Sequence, residues 1–571
     1  MVATSNFETL PELLEFGTRE WGERMAFRSP WGSAMESVTF RELELLAAGA
    51  AEQLAPDVER GEFVLIGGRN SIPWVVTLYA LLLHGAIPVP VDTEMPSNAL
   101  NSILRELQPA AVVGDETFLA RVSGISGKKI TLAEVHDWPA AEVVPVLDPP
   151  AQPDELAVLL YTGGTTGRPK GVMLSHRNLV HGVNATVDGG DLRMSDVLFV
   201  VLPLFHVFPL TVGCLAPMAA GLPVELEYRL TRVSQRASET PPTIILGVPA
   251  LWEALLRTVE RNASGGVKGV YFKAASLFNR TLIRTVGINL GRVLFMPLQK
   301  ALGGNLRYLV SGGARLDPTI QRRMTELGLP VIQGYGLSEA APVVSVQRFV
   351  GRRYWWRGRY YWKRIGSVGT PLTGVTVTIE PREGVDEESG EGELVVQAPN
   401  VMMGYYERPA DTAAILRDGA LHTGDLARID DNGDIWITGR ASLVISMPNG
   451  KQVNLETMEA ELLEAPEIAQ IRLLVELEPE WKLVAVVFPS EEALAGNGID
   501  GSTKLMAVAR DAVRRQSRGL PSWLRVDEVR LSGDLLPVTR LGKLRRATVE
   551  TGDFDFDHWC EEAHKATLAD E

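Results

Sequence analysis

A chain of 571 residues is too long for a single hydrophobic core, so two or more domains are expected. Its composition, 45% hydrophobic and 22% charged, is that of an ordinary globular protein, and its formal net charge of −15 argues against wholesale binding to nucleic acid. Cys214 and Cys560 are the only cysteines, which excludes a disulfide framework or a cysteine-rich zinc site and fits a reducing cytosol.

The first sixteen residues carry Glu8, Glu12 and Glu15 and no basic side chain, unlike a signal peptide. Residues 1–60 read as helix, strand pair, helix, with 36–40 strand-like and 41–54 at helical apolar spacing. The runs 62–67, 86–91 and 110–113 read as buried strands, and 74–83 as a buried helix. This alternation predicts an α/β fold, a parallel sheet covered by helices. A proline-rich linker at 148–153 leads to 156–160, a short apolar run that reads as another buried strand.

Tyr161-Thr-Gly-Gly-Thr-Thr-Gly-Arg-Pro-Lys170 follows that strand. Gly163 and Gly164 let the backbone turn tightly and approach a ligand. Successive N–H groups in such a loop can point inward at an anion. Thr162, Thr165 and Thr166 add hydroxyl donors, and Lys170 adds a positive charge. The chemistry suits polyphosphate, although the spacing of the common P-loop is absent. A polar, glycine-rich surface turn has the same composition.

Residues 198–224 hold no acidic or basic side chain apart from His206, and are long enough to span a bilayer. Pro203, Pro209, Pro217, Gly213 and Gly221 interrupt the run, so it reads as a buried strand, a turn and a buried helix. Further on, 242–249 is strand-like and 250–260 helical. Residues 306–314 form a strand running into Ser311-Gly-Gly-Ala314, and 330–339 another ending in Gly334-Tyr-Gly-Leu-Ser-Glu339. Open parallel sheets hold ligands beyond the carboxyl ends of their strands, so three glycine turns placed after strands can converge on one site. From about residue 366, short strands such as 392–397 and 434–437 predict a small antiparallel region. After Gly439-Arg440 helix and strand return, which places a boundary near 440 and gives domains 1–439 and 440–571.

Six motifs in order resemble those of the adenylate-forming (AMP-binding) superfamily: the 161–170 loop; Pro203-Leu-Phe-His206; Ser311-Gly-Gly-Ala314; Gly334-Tyr-Gly-Leu-Ser-Glu339; His422-Thr-Gly-Asp425 with Gly439-Arg440; and Pro537-Val-Thr-Arg-Leu-Gly-Lys543. The resemblance covers about residues 10–550 and is to the acyl-CoA synthetase, or long-chain fatty acid–CoA ligase, type. It implies a large N-terminal domain with parallel sheets and a small β region, and a small mobile α+β C-terminal domain. It implies a ligase that uses ATP and Mg²⁺, first forming an acyl-adenylate with release of pyrophosphate and then passing the acyl group to coenzyme A with release of AMP.

Carried over residue by residue, the resemblance assigns Thr162, Gly163, Gly164, Thr165, Thr166 and Lys170 to the β- and γ-phosphates. It assigns Gly312, Gly313, Ala314 and Tyr335 to the adenine, Gly336 to the nucleotide site, and Ser338 to the α-phosphate. Glu339 is assigned to Mg²⁺, Asp425 to the ribose, Arg440 to ribose and phosphate, and Lys543 to the charge growing between carboxylate and α-phosphate. Phe205, His206, Val207 and Phe208 are assigned to the acyl pocket. With no acidic residue after Phe205, an amino-acid substrate, whose ammonium needs a buried partner, is disfavoured. The expected acid is a medium- or long-chain fatty acid.

Two departures stand out. The family's Lys and Asp after the boundary are replaced by Ser442 and Leu443, at the hinge about which the small domain turns. That favours an alternative in which the acyl group passes to a carrier protein. A non-catalytic nucleotide-binding or scaffold protein is the alternative of another class, against which Glu339, Asp425 and Lys543 stand intact. The second departure is Arg352-Arg-Tyr-Trp-Trp-Arg-Gly-Arg-Tyr-Tyr-Trp-Lys-Arg364, six basic and six aromatic residues in an acidic chain. Such mixtures suit a membrane interface, single-stranded nucleic acid or a protein partner, and also a loop whose rings pack on the small domain while its cations stay solvated. The expected location is the cytoplasm, with peripheral membrane contact through this segment.

Overall fold

The computed structural model describes residues 7–144, 148–162, 169–229, 232–263, 265–348, 358–382, 390–441, 444–446, 452–476, 482–490, 501–517 and 525–536. The chain divides into two compact units. The first comprises 1–378, 395–422 and 429–436, and the second 379–394, 423–428 and 437–571.

The first unit is built on a nine-stranded sheet. Its order is Thr370–Pro371, Val343–Val346, Val331–Gly336, Tyr308–Ser311, Ile244–Gly247, Leu198–Val200, Val224–Leu226, Met25–Trp31, Ala34–Thr39. The six strands from Val331–Gly336 to Met25–Trp31 run parallel, while antiparallel strands close both edges. A second sheet, Ile87–Pro90, Phe63–Ile66, Ala111–Gly114 and Lys128–Thr131, is parallel throughout. These central strands are short and apolar on both faces, as a sheet covered by helices requires. The helix Ile72–His84 buries twelve of its thirteen residues, which fits a sequence apolar all round. It starts at Ile72 with Pro73 in its first turn and stops where Gly85 takes φ 80°, a left-handed turn that glycine adopts without strain.

The apolar run at 198–224 is a buried crossover. Leu198–Val200 leads through the helix Val207–Leu210, a π-helical turn Thr211–Leu215 and the helix Ala216–Ala220 into Val224–Leu226, its parallel neighbour. Among the described residues no helix is long and apolar enough to cross a membrane.

The 156–160 run forms the strand Leu156–Thr162, but not in either parallel sheet. It pairs antiparallel with Lys170–Ser175, which pairs antiparallel with Gly404–Tyr405. The threonine-glycine loop is therefore a hairpin connection, whereas the other two glycine turns leave parallel strands. Leu159 nevertheless shares a core with Leu65, Val89 and Val112 of the four-stranded sheet.

In the second unit, Ile468–Glu476 runs antiparallel to Lys482–Pro489, which is parallel to Glu528–Leu531. The helices Leu455–Leu462 and Ser502–Gln516 cover this sheet, burying Met458, Leu462, Leu505 and Ala509 against Leu473 and Val487. The short strands expected beyond 366 form a five-stranded sheet that includes Thr376–Glu380, Gly392–Gln397, Ala420–Ile429 and Ile435–Arg440. Chain passage between the two units falls within these strands.

Candidate active site

Two neighbouring parallel strands, Tyr308–Ser311 and Val331–Gly336, open at their carboxyl ends into Gly312–Gly313–Ala314 and into the 3₁₀ turn Ser338–Ala340. Gly313 holds φ 78°, a conformation that favours glycine. Gly336 has no room for a side chain, because a Cβ there would stand 1.7 Å from the carbonyl oxygen of Pro342. Tyr335, between Gly334 and Gly336, is half-buried.

Glu339 is held from two sides. Its carboxylate Oε1 accepts a hydrogen bond from the Tyr405 hydroxyl at 2.6 Å. Its backbone oxygen accepts from the Met402 N–H at 2.9 Å. Burial, and then the negative charge of Glu339, push the Tyr405 phenol well above its ordinary range, so it stays protonated and donates. The Lys170 ammonium lies 5.1 Å from the centre of the Tyr405 ring and pairs with Asp411 at 2.8 Å. Thr162 sits opposite Lys170 in the hairpin, its hydroxyl donating to the Lys170 carbonyl at 3.4 Å. Lys170 and Glu339 thus meet at the two sides of one tyrosine. Gly163, Gly164, Thr165 and Thr166 lie outside the described residues.

Tyr405 and Asp411 were not legible in the sequence. Asp411 is 241 residues from Lys170. The signal that brings Tyr405 in is strand pairing, with Gly404 opposite Met173 and Tyr405 opposite Val172. Asn70 is a further positioning residue. Its side chain donates to the Leu202 carbonyl and accepts from the Leu204 N–H, fixing the backbone just before Phe205.

Phe205 and Val207 are buried, and the Phe205 and His206 rings lie 4.3 Å apart. Phe208 packs its ring on Gly312, where a Cβ would meet it at 3.0 Å. The same ring walls an apolar cavity of about 70 Å³ between the sheet side chains Leu246, Val310 and Ile332 and the crossover residue Val212. No Asp, Glu, Lys or Arg side chain lines it. Gln347 and Tyr308 are on its wall, and Gln347 donates from its Nε2 to the Arg364 and Ser367 carbonyls.

Asp425 and Arg440 belong to the second unit and form an ion pair at 2.7 Å. Asp425 is buried, and its N–H donates to the Thr423 hydroxyl, which itself donates to the Leu394 carbonyl. Gly424 takes φ 68° and donates its N–H to Glu393. Ser442, Leu443 and Lys543 lie outside the described residues.

The aromatic-basic segment is described from Gly358. Its helix Gly358–Arg364 buries Tyr361, sets Trp362 5.7 Å beneath the Arg322 guanidinium, and pairs Arg364 with the buried Asp434 at 2.8 Å. This end of the segment packs on the protein, and a cation expected to be solvated is half-buried instead. Residues 352–357 lie outside the described residues.

The chain matches the model of the AMP-binding enzyme family over residues 15–406. It is 29% identical over 554 residues to a feruloyl-CoA synthase of Amycolatopsis, covering 93% of this chain and 98% of that one. It is 28% identical over 466 residues to the long-chain-fatty-acid–CoA ligase FadD15 of Mycobacterium bovis, covering 76% and 74%. Its fold is similar to that of o-succinylbenzoate CoA synthetase from Bacillus subtilis in complex with its acyl-adenylate intermediate. The TM-score is 0.74 at 22% identity, covering 95% of this chain and 99% of that one. The chain belongs to the AMP-binding enzyme family, as an acid–thiol ligase of the AMP-forming acyl-CoA synthetase type.

Proposed function

We propose that this chain activates a hydrophobic carboxylic acid, a medium- or long-chain fatty acid, to its acyl-adenylate and then to its CoA thioester. The observation that carries the reading is the apolar cavity whose wall, Phe208, rests on the glycine turn at Gly312. A carboxylate entering beside Gly312 would keep its charge at the polar end of the sheet and its chain among Leu246, Val310 and Ile332. With no ionised side chain on the cavity wall, an amino-acid ammonium would be desolvated without a partner.

In the first step the acid's carboxylate oxygen bonds to the α-phosphorus of ATP, and the bond to the pyrophosphate oxygen breaks. Two anions approach each other, so aligned donors and positive charge lower the barrier. Lys170, with Thr162, Thr165 and Thr166, holds the departing phosphates, Ser338 donates to the α-phosphate, and Lys543 stands between carboxylate and phosphate. Gly312, Gly313, Ala314 and Tyr335 frame the adenine, and Asp425 and Arg440 hold the ribose. Glu339 fits Mg²⁺, since it offers a hard carboxylate oxygen held in place by Tyr405. Held at Glu339, Mg²⁺ would neutralise charge on the leaving pyrophosphate. In the second step a thiol displaces AMP, with residues 440–571 carrying Lys543 and turning about the Ser442–Leu443 hinge between steps.

An aromatic acid is the second reading. It is favoured by the small volume of the cavity and by the near full-length match to a feruloyl-CoA synthase. Trapping acyl-adenylate with hydroxylamine across fatty and aryl acids, with and without CoA, separates the readings. The proposal predicts highest turnover with fatty acids and CoA-dependent AMP release. Turnover confined to aryl acids would transfer the assignment to them, and adenylate that CoA does not consume would make a carrier protein the acceptor.

A further inference from the structure

Fourteen large apolar side chains are exposed among the described residues, and eight of them fall between 267 and 296: Val267, Val270, Tyr271, Leu277, Phe278, Val286, Val293 and Met296. Such clustering on the surface of one segment marks a contact face rather than chance exposure. The helix Gly266–Thr285 explains how they come together. Val267, Val270, Tyr271 and Phe278 recur at three, four and seven residues, with Leu277 beside them, so they form one row. Ala275, Ser276, Asn279 and Ile283 are buried on the other side. The helix is anchored there, with the Asn279 side chain donating to Asn289 and to the Glu326 carbonyl. Phe272 meets Phe295 at 5.3 Å and the Tyr271 hydroxyl donates to the Leu294 carbonyl, which folds the 286–296 segment beside the helix.

Charge runs alongside the apolar row. Lys273, Arg280 and Arg284 follow at seven and four residues and share the adjoining face. Arg280, Arg284, Arg322 and Arg323 then converge with Trp362 around a pocket of about 380 Å³. Glu326 holds Arg280 at 2.6 Å and Arg323 at 3.4 Å, and the Gly358–Arg364 helix packs against Gly266–Thr285. This concentration of guanidinium groups sits in a chain of net charge −15.

We propose that the Gly266–Thr285 helix and the 286–296 segment dock on an anionic lipid bilayer. The apolar row enters the boundary between headgroups and acyl chains, while Lys273, Arg284 and the arginine pocket meet lipid phosphates. A helix with an apolar face flanked by basic residues lies in the plane of such an interface, and an indole is suited to its headgroup level. The bilayer face is thus the long helix, reached by the end of the aromatic-basic segment rather than made by that segment alone. The proposal does not depend on which acid is activated.

Co-sedimentation of the full chain with vesicles of phosphatidylcholine, with and without phosphatidylserine, tests it. Wild type is expected to bind the phosphatidylserine vesicles and to be released by salt. The triple variant Val270→Ser, Leu277→Ser, Phe278→Ser should bind about tenfold less. The double variant Lys273→Gln, Arg284→Gln should lose about fivefold per charge. Both variants change exposed side chains, so melting temperature and turnover of a water-soluble acid without vesicles should match wild type. Equal binding by wild type and the triple variant, or no binding by wild type, would overturn the proposal. So would a wild-type dimer in analytical ultracentrifugation that the triple variant turns into monomer, which would give this face to a second copy of the chain.

Discussion

Tyr405 shows what a single residue adds to a site read from motifs. Glu339 was legible because it closes a glycine turn after a strand, but the phenol that fixes its carboxylate comes from a strand whose own sequence carries no such pattern. Hydrogen bonds to a charged group contribute about 1.5–3 kcal/mol. Tyr405→Phe is therefore expected to raise the Mg²⁺ concentration needed for half-maximal pyrophosphate release about tenfold, with the melting temperature little changed. An unaltered Mg²⁺ requirement would detach Tyr405 from the metal site. Gly336 is the opposite case, a residue legible in type but not in reason. The sequence shows a glycine in a turn, and only the fold shows the Pro342 carbonyl against which any Cβ would press.

Elements were read well where one period dominated. Ile72–His84, the strands Phe63–Ile66, Ala111–Gly114 and Val331–Gly336, and the broken crossover at 198–224 all follow from apolar runs and proline positions. The hairpin at the threonine-glycine loop did not, because a short apolar run looks the same in a parallel and an antiparallel sheet. Its partner strand was hidden in Lys170–Ser175, which the motif itself overlaps. The crossover helix Val207–Leu210 and its π-turn bound the proposed acyl pocket, since Phe208 both packs on Gly312 and walls the cavity. Extra residues inserted as a π-turn often accompany functional sites. Phe208→Ala should enlarge the cavity and shift preference toward bulkier acids, at a stability cost of about 3 kcal/mol. Turnover rates across acids of increasing size measure it, and an unchanged ranking would remove Phe208 from the pocket wall.

At the scale of the whole molecule, distant segments of the first unit are tied by a buried histidine. The Leu10 N–H donates to the His176 Nδ1 at 3.2 Å, linking the helix Leu10–Trp21 to His176–Gly189. Burial pushes the His176 imidazole down to about 4, outweighing the opposing charge of Glu155. The folded state therefore binds a proton less readily than the unfolded chain, and stability is lost as pH falls below the usual histidine range toward 4. The loss should be about 1.4 kcal/mol per pH unit in that window. Denaturant titrations at pH 7 and 5 should show a smaller acid loss in His176→Asn, and an identical loss would assign acid sensitivity elsewhere.

Asp425 and Arg440, two parts of one sequence motif, form an ion pair in the second unit, so the proposed ribose and phosphate roles rest on coupled residues. Acid-dependent ATP–pyrophosphate exchange by wild type and Lys543→Ala reads out acyl-adenylate formation itself. The predicted result is exchange that requires a hydrophobic acid in wild type and is abolished in the variant while ATP still binds. Near-normal exchange by the variant, or wild-type exchange indifferent to every acid, would contradict it.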